Sequence, residues 1–143
     1  MATLRDERIS HHDLCFGCGQ ANLFGLQLEV EPAPGGGVAG RFFVKQDHQG
    51  PPGFAHGGVI ATALDEAMSL VLHADGIHAL TAQLDVKLLA PAPVGSFVRV
   101  EAGVAEQVGK RRLELSARAL SEDGSELARA RGVFVRAARS TSI

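Results

Sequence analysis

The stretch from Gly57 to about His73 most constrains how this chain can fold. Val59, Ile60, Ala63, Leu64, Ala67, Leu70 and Val71 recur at three- and four-residue spacing, the period of a helix. Apolar side chains occupy most of its circumference, so this helix is expected to be largely buried. The flanking segments alternate with period two instead. Leu26 to Glu31 reads as a strand, Pro32 to Gly37 as a turn, and Val38 to Val44 as the returning strand of a hairpin. Lys45 to Ala55 is a loop rich in glycine and proline. Beyond Asp75-Gly76, Leu80, Ala82, Leu84, Val86 and Leu88 are expected on one face of a strand, with Thr81, Gln83, Asp85 and Lys87 on the other. Pro91-Ala92-Pro93 breaks that strand. Val98 to Val104, Leu113 to Ala119 and Leu127 to Val135 supply three more, in the order of a meander. An antiparallel sheet curled around the one long helix, an α+β arrangement, buries that helix most economically. The strand from Ala79 to Leu89 is expected at an edge, where it invites pairing with a second copy.

At 143 residues, the chain is expected to form one domain. It can bury roughly two-thirds of its unfolded surface with no disulfide or metal to hold the core. Residues 1–25 read as an irregular lead-in segment, 26–136 as the domain and 137–143 as a tail. A net charge of −2 argues against nucleic acid as the main partner, since phosphate binding needs a basic surface. No apolar run approaches the ~20 residues of a membrane span. The first residues, MATLRDERIS, lack the apolar core of a secretory signal. Two cysteines without an export signal fit a reducing, cytoplasmic location.

The chemistry concentrates in QGPPGFAHGGVIATALDE, residues 49–66. Glycines at the mouth of a helix leave backbone N–H groups bare, and such groups bind developing negative charge. Carboxylates in an otherwise apolar helix are costly unless something uses them. Gly57 is therefore a candidate donor to an oxyanion, and Asp65 a candidate base or nucleophile whose pKa burial would raise. Thr81 is placed to position the water or the carboxylate. His56 either hydrogen-bonds substrate or stabilises the loop. The bland alternative is that Gly57-Gly58 makes a tight turn and Asp65 caps a neighbouring element. Glu66 competes with Asp65 for the role of base, and its neighbours favour Glu66 as the more solvated of the two. Asp65 lies eight residues after Gly57, about 12 Å along a helix axis. One carbonyl cannot touch both, so either the two do not cooperate or they come from different subunits. Two antiparallel helices related by a two-fold axis would bring them together, and an obligate dimer with composite sites is expected.

His56-Gly57-Gly58 followed by Asp65-Glu66-Ala67, with Gln49-Gly50-Pro51-Pro52-Gly53 before it and CFGCGQANLFGL in the lead-in, resembles the hotdog-fold acyl-CoA thioesterases of the phenylacetate-pathway (PaaI-like) type. The resemblance runs from about Leu14 to Val135. It implies a hotdog fold in which the sheet wraps one central helix. It also implies hydrolysis of an acyl-CoA without metal or cofactor, and the composite site leads us to expect a homodimer or homotetramer. By position it assigns the base or nucleophile to Asp65, the oxyanion N–H to Gly57 and an assisting hydroxyl to Thr81. Many relatives keep an Asn or Gln seven residues before that glycine, where this chain has Gly50 beside His48 and Gln49. Candidate substrate contacts are Gly58, Gln49, His48, Glu66, Arg111 and Arg112, with Phe54, Met68 and Leu72 as candidates for pocket depth.

Other signals are weaker. Cys15-x-x-Cys18 with His11 and His12 offers four zinc ligands, but a second paired motif is missing, so a simple turn is expected and no metal. Lys110-Arg111-Arg112, Arg129 and Arg131 are candidates to meet nucleotide phosphates. A hydratase or dehydratase on acyl thioesters, pairing His48 or His56 with Glu66, is the nearest rival chemistry. A non-catalytic acyl-CoA-binding module is the rival from another class.

Overall fold

The structure, a computed structural model, describes residues 8–137. The first seven residues of the lead-in segment and residues 138–143 of the tail lie outside the described residues. Helix α1 spans Gly57–Ala74. It starts where His56, in an extended conformation, caps it: the ring Nδ1 accepts the Gly58 N–H at 2.9 Å. It stops at Asp75-Gly76, where Gly76 takes φ +73, a left-handed conformation that glycine adopts without steric cost. Ile60, Ala63, Leu64, Ala67, Met68, Leu70, Val71 and Leu72 are buried on this helix. Gly58, Thr62, Asp65 and Ser69 form the stripe left at least partly open, at the spacing of one helix face.

The strands are β1 (Glu29–Pro32), β2 (Val38–Phe43), β3 (Ala79–Leu88), β4 (Phe97–Ala102), β5 (Glu106–Gln107), β6 (Arg112–Leu120) and β7 (Glu126–Arg136). They form one antiparallel sheet in the order β1-β2-β4-β6-β7-β3, with the short β5 on β6. The helix packs against β2, β3, β4, β6 and β7, so the sheet wraps it as its apolar circumference requires. Phe42, Phe134, Leu64 and Met68 are fully buried between the layers. Each such side chain contributes about 1.5–3 kcal/mol relative to exposure.

Three sequence expectations are corrected. The strands after the helix are not a simple meander: β3 crosses to the far edge and pairs with the last strand, while β4 pairs with β2 and β6. The crossover runs through Leu89 to Ser96, where prolines interrupt pairing. The first strand begins at Glu29 rather than Leu26, because Gln27 takes φ 51 and breaks the extended run. Leu26 and Leu28 instead donate to the Phe16 and Gly17 carbonyls at 2.9 Å each, which seats the lead-in segment on the domain. Finally, β3 does not alternate strictly. A bulge between Thr81 and Gln83 puts Ala82 out of register with β7. Thr81 therefore shares the helix-facing side with Leu84, Val86 and Leu88, and Leu80 points away. The expected placement of β3 at the edge holds.

Candidate active site

Asp65 lies midway along α1, half-buried, opposite the start of β3. Thr81 Oγ1 donates to Asp65 Oδ1 at 2.7 Å. Thr81 reaches the helix only because of the bulge at Ala82. Burial pushes the Asp65 carboxyl above the ordinary carboxylate range, against the opposing pull of the Thr81 hydrogen bond. Its second oxygen has no hydrogen-bond partner among the described residues, so it is free to take a proton from water.

The helix mouth is built by the preceding loop. Gln49 Oε1 accepts the Gly53 N–H at 2.7 Å and closes the QGPPG turn. His56 uses its main-chain N–H on the His48 carbonyl and its Nδ1 on Gly58. Val59 donates to the His56 carbonyl, so Gly57 is the first-turn N–H without a hydrogen bond among the described residues. Gly58, by contrast, has its N–H consumed by the cap. Gly50 crosses close under this cap: a Cβ there would lie 2.7 Å from His56 Cα. Gly50, where the resemblance leads one to look for an amide, thus has no room for a side chain in this loop path.

Several candidates fall elsewhere. His48 is 3% exposed, with Nδ1 accepting the Lys45 N–H at 3.0 Å and Nε2 donating to the Gly25 carbonyl at 3.1 Å. It pins the loop to the lead-in segment and leaves no ring nitrogen for substrate. Glu66, expected to be the more solvated acid, is the more buried one, at 9% exposure. The lead-in loop covers it, and its carboxylate meets His11 Nδ1 at 2.7 Å and Cys15 Sγ at 3.4 Å. Burial would raise its pKa, but contacts with His11 and Cys18 outweigh that and hold it low. His11 is pushed up by Cys18 and Glu66 in return. The sequence reading missed this partnership because the partners are 55 residues apart.

Arg111 is fastened by its guanidinium to the Arg136 carbonyl. Arg112 alternates with the buried Leu113 and therefore faces outward from the sheet. Neither converges with Asp65 within one chain. Arg129 and Arg131 pair with Glu126 and Glu114 in the same way, outside the sheet. A depression of about 1140 Å³ opens on that outer face, and neither Gly57, Asp65 nor Thr81 lines it. Met68 and Leu72 are core residues, not pocket-lining ones.

Comparison with known proteins is consistent with this architecture. Residues 52–128 match the model of the thioesterase superfamily. Over 88 residues, 61% of this chain, it is 35% identical to acyl-coenzyme A thioesterase THEM5 of Mus musculus and covers 35% of that protein. The chain thus spans about a third of the length of this curated relative. A solved thioesterase superfamily protein superposes with a TM-score of 0.79 at 26% identity, over 86% of this chain and 60% of that one. The BH2602 protein of Bacillus halodurans, solved with CoA, gives 0.70 at 27% identity, over 81% of this chain and 77% of that one. This chain belongs to the thioesterase superfamily, and the hotdog fold implied by its motifs is the fold it has. No helix among the described residues is long and apolar enough to cross a membrane.

Proposed function

We propose that this chain hydrolyses acyl-CoA thioesters, with Asp65 as general base or nucleophile and the Gly57 N–H as oxyanion donor. The observation that carries the reading is Asp65 itself, a carboxylate raised by burial, oriented by Thr81 and left with one free oxygen on the open stripe of α1. A binding module gains nothing from such a group, whereas water activation requires it. In the general-base route Asp65 takes a proton from water as the oxygen attacks the thioester carbon. The carbonyl oxygen gains charge against the Gly57 N–H and the helix dipole, and the CoA thiolate then leaves.

Gly57 and Asp65 stand eight residues apart on one continuous helix, about 12 Å along its axis, so they serve different substrates. We assign each site to two subunits, Asp65 from one and the partner subunit's Gly57 from the other. The edge strand β3 supports this. It has an unpaired side among the described residues and exposes Leu80 at 71% and Leu88 at 57%.

The test is free-thiol release from a panel of short, long and aromatic acyl-CoAs. Asp65→Asn is expected to lower kcat at least about a hundredfold with KM little changed. Near-wild-type turnover in that variant would overturn the reading. So would hydration of an enoyl thioester without thiol release, which points to the hydratase chemistry instead.

A further inference from the structure

Thioester hydrolysis leaves a second polar centre unused. His11 Nδ1, Cys15 Sγ, Cys18 Sγ and a Glu66 carboxylate oxygen all lie within 4.8 Å of one another. The chain has two cysteines, both are here, and they are not joined as a disulfide. Cys18 is 1% exposed and Glu66 9%, so the centre is set into the domain rather than laid on it. We propose that these four side chains bind one zinc ion as a closed structural site that ties the lead-in segment to helix α1.

The donor set suits the metal. Two thiolates, one imidazole and one carboxylate are borderline-soft ligands that zinc accepts in a tetrahedron. Zinc–ligand bonds of about 2.0–2.3 Å give tetrahedral edges of about 3.3–3.8 Å. Cys18 Sγ stands 3.6 Å from His11 Nδ1, Cys15 Sγ 3.9 Å from the same atom and 3.4 Å from Glu66 Oε1. Two of the six edges thus already have the span a zinc tetrahedron needs, and the third, at 3.9 Å, lies just beyond it. A further edge, His11 Nδ1 to Glu66 Oε1, is a hydrogen bond of 2.7 Å. Replacing its proton with the ion lengthens it by about half an ångström.

The surroundings orient these ligands. Ser69 Oγ lies 3.2 Å from His11 Nε2 and can accept its N–H, which holds the ring with Nδ1 turned toward Glu66, the nitrogen that would ligate a metal once its proton is displaced. Cys18 Sγ accepts the His11 main-chain N–H at 3.2 Å and has Ser10 Oγ at 3.5 Å, contacts that hold the sulfur in place beside His11. Gly17, between the cysteines, lets the loop close onto the acid: a Cβ there would lie 2.5 Å from Glu66 Cγ and 2.6 Å from Oε2. His12, the other imidazole that the motif suggested, is exposed and accepts the Leu14 N–H on its Nδ1. Glu66 takes its place from the helix, a ligand that lies far from the lead-in motif in sequence. Four protein ligands leave no open coordination position, so the ion is structural. The site does not depend on the thioesterase reading.

The experiment uses the chain purified without a polyhistidine tag, under reducing conditions. Elemental analysis is expected to find about one zinc per chain in the wild type and under about a tenth of that in Cys15→Ser and Cys18→Ser. His12→Ala is expected to keep the full complement. After chelation, Co²⁺ titration should saturate at one equivalent, with thiolate-to-cobalt charge transfer and the intense visible bands of a tetrahedral ion. Both wild-type readouts stand even where a variant fails to fold. Metal-free protein that gives no charge-transfer band with Co²⁺ overturns the proposal. So does a tetrahedral cobalt spectrum unchanged in both His11→Ala and Glu66→Gln, which would mark a site made by the two thiolates alone.

Discussion

Thr81 on the edge strand holds Asp65 on the helix by a 2.7 Å hydrogen bond, and the bond exists because one residue is bulged out of the strand next to it. A hydrogen bond to a charged group is worth about 1.5–3 kcal/mol. Thr81→Val keeps the β-branched shape and removes the donor. Its kcat is expected to fall between about tenfold and a hundredfold, less than in Asp65→Asn, because the base survives but loses its orientation. Steady-state thiol release decides it. A fall as large as that of Asp65→Asn would mean Thr81 does more than position the carboxylate.

Thr81 also marks where sequence reading stops. Helix α1 was legible from residues 57 to 73 because its apolar period is uninterrupted, and each long strand was legible from its alternation. Strict alternation put Thr81 and Leu88 on opposite faces. A bulge leaves no mark in a hydrophobic pattern, since Ala82 fits either face. The crossover of β3 was hidden for a related reason: alternation gives a strand's faces and says nothing of its neighbours. Asp65 and Gly57 could be named as candidates from an acid in an apolar helix and a glycine at its mouth, with the family resemblance choosing Asp65 over Glu66. The His11–Glu66 partnership was not, because it is made by a loop folding onto a helix far along the chain.

Gly50 stands where the family resemblance leads one to expect an amide, and its close packing under the His56 cap leaves no space for one. Restoring the amide by Gly50→Asn forces a Cβ to within 2.7 Å of the His56 main chain. The loop must shift, and overpacking of this kind costs about 1–3 kcal/mol. The variant is expected to unfold at lower temperature and to gain no activity. A calorimetric scan together with thiol-release kinetics tests both halves. A variant as stable as wild type with raised kcat would show that the loop accommodates the amide after all.

The turn between β6 and β7 carries a titration separate from the active site. Asp123 accepts the Ser125 N–H at 2.9 Å and hydroxyl hydrogen bonds from Ser121 and Ser125. Those bonds, Ser121 first, hold its carboxyl down to about 2 from an ordinary value of 3.8. The folded-state pKa is depressed, so the contribution to stability is complete above the unfolded value. It is lost as pH falls from 3.8 toward about 2. Carboxyl-carbon NMR should show Asp123 titrating well below the other exposed carboxylates. In Asp123→Ala the acid-induced loss of stability over that window should be shallower. A normal titration would remove the turn as its cause.

The composite site makes the sharpest demand, and the position of Gly57 allows a clean test. Gly57 is the first residue of α1, where proline is tolerated because the missing N–H has no helical partner. His56 before it has φ −62 and ψ 138, a conformation that suits a residue preceding proline. Gly57→Pro thus removes the proposed oxyanion donor and leaves the helix standing. The nearest obstacle is the mobile end of Leu88. Loss of one such donor costs about a hundredfold to a thousandfold in kcat. Gly57→Ala keeps the N–H and makes the same contact with Leu88, so it should retain most activity. Mixing inactive Gly57→Pro with inactive Asp65→Asn then separates the two arrangements. If each site takes Gly57 from one subunit and Asp65 from the other, half of a randomly exchanged dimer population holds one intact site. Activity should return to roughly a quarter of wild type. If both groups served one substrate within a single subunit, every heterodimer would contain two defective sites and the mixture would stay inactive.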